Sequence, residues 1–400
     1  VGHDFGLEHN FIAHAAYTLA QVRDPVFTAR NGVAASVMEY APVNLPALGR
    51  RTGGTYVQSV LGPYDYYAIH WGYAPVAGAR TALDEVPTLR RWASSWSDPR
   101  YRLASDEDTA WNGHAVDPRV APWLLSDDPI AWCGDRMQLI DGLIGRIDER
   151  FPATEAPWDD ERSAFTVLLG QYQRCAQTLT YYIGGEYLSR ARRGDPHAAP
   201  PLTPVSRGLE RRAFRMLDRY LFSDAAWTFS PQTLRRLVYS EYEPFRDFGY
   251  HPTPRHDLPI ADIAAAFQNN ALALLFSPLT LQRIADLPTK ARPGETMTLA
   301  DLFSWTQDGI FGDVGRSATS TQVRRNLQRS YARLLSAIML NQRGAPYDAQ
   351  TLARHEMTDL GDRLDRALRR SDLDLQTRAH DETLAVEVAR ALHATYVLPL

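Results

Sequence analysis

The residues with the clearest capacity for chemistry open the chain: His3-Asp4-Phe5-Gly6-Leu7-Glu8-His9, a His-x-x-Gly-x-x-His spacing. Neutral imidazole is the commonest metal ligand among side chains. If His3 lies in a helical turn that ends at Gly6, the chain can reverse there, because glycine adopts a left-handed conformation at little cost. His9 then returns toward the same point as His3. Imidazoles converging in this way suit a metal ion. Three of them would leave one position of a tetrahedral ion open to water, which is the arrangement of a hydrolytic site and not of a structural one. The bland alternative is two histidines at a helix end with a glycine cap. A second element, Ser36-Val37-Met38-Glu39-Tyr40, sets an apolar thioether two residues before a phenol. Taken alone, it reads as a core methionine in a short apolar segment.

Together the two elements resemble the metzincin clan of zinc metallopeptidases, in which His-Glu-x-x-His-x-x-Gly-x-x-His is paired with a Met-turn. In this chain the first His and the Glu of that signature would lie at the two positions before Val1, so the sequence reads as a fragment that would have negligible peptidase activity alone. The resemblance implies Zn2+ as cofactor, with His3 and His9 as its second and third histidine ligands and the preceding Glu as general base. It implies Met38 as an apolar floor beneath the histidines and Tyr40 as a catalytic phenol that bonds the developing oxyanion. Ala41 and Pro42 would help line the pocket for the side chain following the scissile bond. A protein or peptide substrate would lie across the metal as an extended strand.

Further strings narrow the resemblance. Asn10-Phe11-Ile12-Ala13, Met38-Glu39-Tyr40-Ala41-Pro42 and Leu61-Gly62-Pro63-Tyr64-Asp65-Tyr66-Tyr67-Ala68-Ile69 look like one bacterial family of large secreted or envelope-bound zinc proteases. That family is related to the enzymatic subunit of an AB5-type toxin and carries a long C-terminal extension. Asp117-Pro118-Arg119-Val120, Ser126-Asp127-Asp128-Pro129, Gly184-Gly185-Glu186-Tyr187 and Arg378-Ala379-His380 carry the likeness along most of the chain. A secreted or cell-envelope location is expected on this ground.

Other candidates are weaker. His14 falls outside the signature and reads as a surface or packing residue; His70, His114 and His380 have no partner at ligand spacing and read as structural. Asp106-Glu107-Asp108 offers clustered carboxylates of the kind calcium takes, but lacks the glycine and spaced oxygens of a calcium loop, so a solvated acidic turn is expected. Cys133 and Cys175 would pair in an oxidising compartment or remain buried thiols, and both readings stay open. No catalytic Ser-His-Asp set, phosphate-binding glycine loop or cysteine metal cluster is visible.

Composition bounds the rest. Forty-three basic against 47 acidic residues give a net charge of −4, too balanced to suggest a nucleic-acid partner. The basic residues are nearly all Arg, with Lys290 the single Lys. No apolar run reaches membrane-spanning length. The expected fold is mainly α. Residues 1–80 would form the lower metzincin subdomain, residues 81–155 an irregular connection, and residues 156–400 a large α-helical domain. Within the connection, Met137, Ile140, Leu143, Ile144 and Ile147 share one helical face. In the last zone Val323, Leu327, Tyr331, Leu334, Leu335 and Ile338 form a stripe, and Leu384, Val386, Val388, Ala389 and Leu392 suggest a final helix. Thr298-Leu299-Ala300-Asp301 reads as a capping box, and Pro63, Pro231 and Pro259 mark helix starts. The stretch from Pro196 to Pro204 reads as a linker or exposed loop. The competing functional readings are a pseudo-protease with a degenerate zinc site, a helical binding or assembly module, and a helical scaffold with chance histidines.

Overall fold

The computed structural model of the chain describes residues 1–50, 54–109, 116–151, 157–239 and 256–394; His114 lies outside them. The architecture is mainly α, with one two-stranded sheet among the described residues. Packing divides the chain into two units. The first joins Val1–Leu139 to Gly185–Val205, and the second holds Ile140–Gly184 and the described residues from Ser206 onward.

The first unit begins with two short 3-10 turns, His3–Phe5 and Ala13–Ala16, followed by α1 (Leu19–Val22), α2 (Pro25–Asn31), α3 (Pro63–Tyr73) and α4 (Ala82–Ala93). Caps set the starts. Thr18 and Gln21 form a reciprocal capping box on α1, and Asp24 accepts the Val26 and Phe27 N–H groups ahead of α2. Pro63 opens α3, as expected. Helix α4 lies in the zone expected to be irregular. Pro87 sits inside it and reads as a breaker, yet it removes a single ladder bond, and Asp84 accepts the Arg80 and Thr81 N–H groups at the N-terminus. α5 (Pro129–Ile144) follows, and the division between units falls within it. Of the expected apolar face, Met137, Ile140 and Ile144 are buried on α5 and Leu143 is half-buried, while Ile147 is buried in the 3-10 turn Ile147–Arg150 beyond the helix end.

Residues 196–201 of the proline-rich stretch form an exposed loop, one of the two readings expected for it. Its end forms β2 (Leu202–Pro204), antiparallel to β1 (Glu186–Leu188), with Glu186 opposite Pro204 and Leu188 opposite Leu202. Pro204 is tolerated because it ends a two-stranded ribbon, where no further ladder bond needs its missing donor. The ribbon is tied to the first unit: the Glu186 N–H donates to Val116 O at 2.9 Å and the Leu188 N–H to Asp117 Oδ2 at 2.9 Å. Two apolar clusters organise this unit. Ala13, Tyr17, Val22, Ala34 and Ala35 pack with Leu19 and Phe27, while Phe11, Ile12, Ala104 and Val120 bury the chain that follows His9.

The described α-helices of the second unit are α6 (Trp158–Tyr181), α7 (Arg207–Leu217), α8 (Pro231–Leu234), α9 (Ile260–Leu275), α10 (Pro278–Asp286), α11 (Leu299–Phe311), α12 (Gln322–Met339), α13 (Tyr347–Ala367) and α14 (Leu375–His393). The α12 stripe packs as its spacing requires, with Leu327, Tyr331, Leu334, Leu335 and Ile338 buried. Tyr331 lies against Phe276 and Phe311. Thr298 and Asp301 make the expected capping box on α11. Pro278 separates α9 from α10 at a 44° bend. In α14, Leu384 and Val388 are buried, but Val386 and Ala389 are exposed, so the stripe is narrower than expected. No single helix among the described residues is long and apolar enough to cross a membrane. Cys133 and Cys175 are both buried as thiols, with no disulfide between them.

Candidate metal centre

His3 opens a tight turn that closes on itself. Gly6 has φ 75° and ψ 15°, the left-handed conformation anticipated for it, and donates its N–H to His3 O at 2.9 Å. The Leu7 N–H returns to Gly2 O at 3.1 Å, and His3 Nδ1 lies 2.8 Å from Leu7 O. The turn sends the chain back so that the His3 and His9 rings meet edge to face, their centroids 4.8 Å apart. Two imidazoles sharing one tetrahedral ion, each through a nitrogen about 2.0–2.1 Å from it, would have ring centres roughly 5 Å apart. The pair therefore fits a common metal in its spacing. Among the described residues no group of three metal-ligating side chains occurs, so the described donor set is two imidazoles.

His9 is held at both nitrogens. Asp106 Oδ2 lies 2.8 Å from Nδ1, and the Tyr40 hydroxyl lies 2.8 Å from Nε2. A carboxylate only accepts, so the neutral ring carries its proton on Nδ1 and donates it to Asp106. Nε2 is then the acceptor and the Tyr40 O–H donates to it; this tautomer follows from the hydrogen-bond network. Phe11 stacks on the other face of His9 at 5.1 Å and meets the Tyr40 ring at 5.3 Å. Tyr40 is fixed from behind, where its carbonyl accepts the Trp123 N–H at 2.9 Å.

Met38 is almost fully buried. A Cβ built on Gly2 would come within 2.2 Å of its Sδ, so the thioether lies against the backbone that carries His3. The Met38 carbonyl accepts the Asn10 N–H at 3.0 Å, which ties the turn to the residue after His9. One buried carboxylate, Asp65 on α3, shapes this turn. It accepts the Ser36 hydroxyl at 2.6 Å, the Val37 N–H at 3.0 Å and the Gly62 N–H at 2.7 Å. Gly62 sits so close that a Cβ would fall 1.9 Å from Ala35 O. Here glycine is needed for the close approach of two backbones and not for an unusual φ. Glu39 points the other way, into the interior. Its Oε2 accepts the His14 N–H at 3.2 Å and lies 2.9 Å from His14 Nδ1, both side chains being wholly buried. His14 is thus a packing residue, with no place at the metal centre.

A mostly apolar cleft of about 1090 Å3 lies beside the turn, lined by Gly2, Val37, Leu61, Pro63, Tyr66 and Tyr67 among others. Ala41 and Pro42 follow Tyr40 as half-buried residues and are not among its lining residues. His70, at its edge, packs against Trp92 at 4.3 Å. Burial pushes the Tyr64 phenol up to about 12, so it stays protonated and acts by packing. In the second unit His380 bonds Gln328 Oε1 at 3.0 Å, a structural use.

The structure thus brings His3, His9 and Tyr40 together, with Met38 against the His3 backbone. Sequence reasoning missed Asp65 and Asp106. Asp65 lay within a string already noted, and Asp106 within an acidic run, but neither spacing pointed to its partner. A family model described as Met-zincin matches residues 1–318. No curated protein and no solved structure gives a significant match.

Proposed function

Because this chain belongs to the Met-zincin family, and so among the zinc metallopeptidases, we propose that it carries the ligand-bearing turn and Met-turn of an endopeptidase that cleaves protein or peptide substrates. The carrying observation is the approach of His3 and His9 at 4.8 Å, each ring already committed at Nδ1 to an oxygen and so leaving Nε2 as donor. When bound, zinc supplies a Lewis acid and acidifies a coordinated water. His3 and His9 would hold the ion, and the donor chemistry of two neutral imidazoles suits zinc. Met38 supports the His3 backbone from below. The Tyr40 hydroxyl lies beside His9 Nε2 and, with that nitrogen turned to a metal, would be free to donate to the carbonyl oxygen of the scissile bond. Ala41 and Pro42 flank the bound chain beyond Tyr40. The family signature pairs these two histidines with a further His as ligand and a Glu as general base.

Elemental analysis of the protein tests the assignment. One zinc per chain is expected, lost in His3→Ala and in His9→Ala. Retention of stoichiometric zinc by both variants would refute it. The proposal includes export to the cell envelope or beyond, and recovery of the native protein solely from the cytoplasmic fraction would overturn that part.

A further inference from the structure

The acidic run Asp106-Glu107-Asp108 forms a short 3-10 turn whose three carboxylates have three different fates. Glu107 is exposed. Asp108 accepts the Ser105 N–H at 3.0 Å and takes Arg190 at 2.7 Å, so it fastens its own turn. Asp106 reaches across 97 positions of sequence to His9 Nδ1.

That reach is built and not incidental, because the chain before Asp106 is laced to the chain around His9. Asn10 Nδ2 donates to Arg102 O at 2.8 Å, and the Phe11 N–H donates to Ala104 O at 2.8 Å. Ala104 and Phe11 also share one buried apolar cluster. The residues on either side of the Asp106–His9 contact are therefore fixed in register. His3 and His9 differ in how their rings are held: His3 Nδ1 meets a backbone carbonyl from its own turn, whereas His9 Nδ1 meets a full carboxylate from a distant segment. His3 closes its own loop. His9 follows the reversal, and its ring needs an outside constraint.

We propose that Asp106 is the positioning residue of this centre. By accepting the Nδ1 proton it selects the tautomer of His9, sets the plane of its ring and strengthens Nε2 as a metal donor. This rests on the reading of His9 as a ligand. A carboxylate behind a ligating histidine commonly has this effect, and its removal costs about 10–100-fold in metal affinity. The same contact explains the position of Tyr40, whose hydroxyl can donate to Nε2 only if Nδ1 carries the proton.

Two readouts test the proposal. The first needs no metal: long-range 1H–15N spectra of the histidine-labelled 400-residue chain report which nitrogen of His9 is protonated. Wild type should show Nδ1 protonated. Asp106→Ala should shift the ring toward the other tautomer, Asp106→Asn should fall between, since its amide oxygen still accepts, and Glu107→Ala should leave the spectrum alone. The second is titration of the protein with Zn2+ alone. Affinity should drop about 10–100-fold in Asp106→Ala, less in Asp106→Asn, and not in Glu107→Ala. An unchanged tautomer together with unchanged zinc affinity in a folded Asp106→Ala protein overturns the proposal, and if Asp106→Ala fails to fold, the same result in Asp106→Asn does so. Undiminished zinc in His9→Ala would instead sink the ligand reading on which it rests, so the two failures are distinguishable.

Discussion

Replacing Asp65 with alanine is the most direct test of how the Met-turn is held. The carboxylate serves three donors, the Ser36 hydroxyl, the Val37 N–H and the Gly62 N–H, at 2.6, 3.0 and 2.7 Å. With 3 % of the residue exposed, water cannot readily replace it. Each buried donor left without an acceptor costs about 1–3 kcal/mol. The three are neighbours, so their costs are not independent, and a total of roughly 3–5 kcal/mol is expected. Asp65→Asn retains one acceptor oxygen but turns an NH2 group toward a donor, and should recover about half of that loss. Global unfolding of a chain of two units does not say where a loss falls. Native-state hydrogen exchange at the Val37 and Gly62 amides reads the turn locally. A loss of about 3 kcal/mol corresponds to exchange about 10²-fold faster, while amides in α12 should be unaffected. If Val37 and Gly62 exchange less than about fivefold faster in a folded Asp65→Ala protein, well below the factor expected from unsatisfied buried donors, the carboxylate is not what holds the turn.

Gly62→Ala places a methyl group 1.9 Å from Ala35 O, so the backbone must shift; calorimetry should show a loss of about 3 kcal/mol or more, against little change for Gly208→Ala, where a Cβ meets open space. Tyr40→Phe removes the hydroxyl from His9 Nε2 and, on the proposed function, should lower kcat by about 10²–10³ with a smaller effect on KM; unchanged kcat with zinc still bound would return Tyr40 to a packing role. Glu39→Ala strands the wholly buried His14 and should cost about 2–4 kcal/mol, whereas an indifferent melting temperature would mean that water satisfies the pair. Burial pushes Glu210 up to about 7, against the N–H bonds from Met297 and Gly184 that pull it down. A carboxyl raised on folding contributes stability that is complete below its unfolded value near 4.5 and is lost as pH rises through about 7. The melting temperature should therefore fall more steeply between pH 5 and pH 8 in wild type than in Glu210→Gln, and identical pH profiles would exclude the mechanism.

What the sequence determined by itself was local chemistry at short range. His3, Gly6 and His9 are separated by three residues each, so a single turn and one left-handed glycine decide where their rings go. The Thr298–Asp301 box, the proline-marked helix starts and the apolar stripe of α12 are likewise carried by neighbours within a turn or two. Tertiary structure decided whatever depends on distant segments meeting. Asp106 is an unremarkable member of an acidic run until the chain before it pairs with residues 10 and 11 and delivers its carboxylate to His9. Asp65 reads as a first-turn helix acid until Ser36 and Val37 are folded onto it. Strand β2 hid in a proline-rich stretch because three-residue strands carry too short an alternation to read, and α4 hid behind Pro87 because a capped helix survives the loss of one bond. In each case a side chain's type was visible in the sequence, but its partner was not, because spacing encodes contacts only where the intervening backbone is a regular helix, strand or turn.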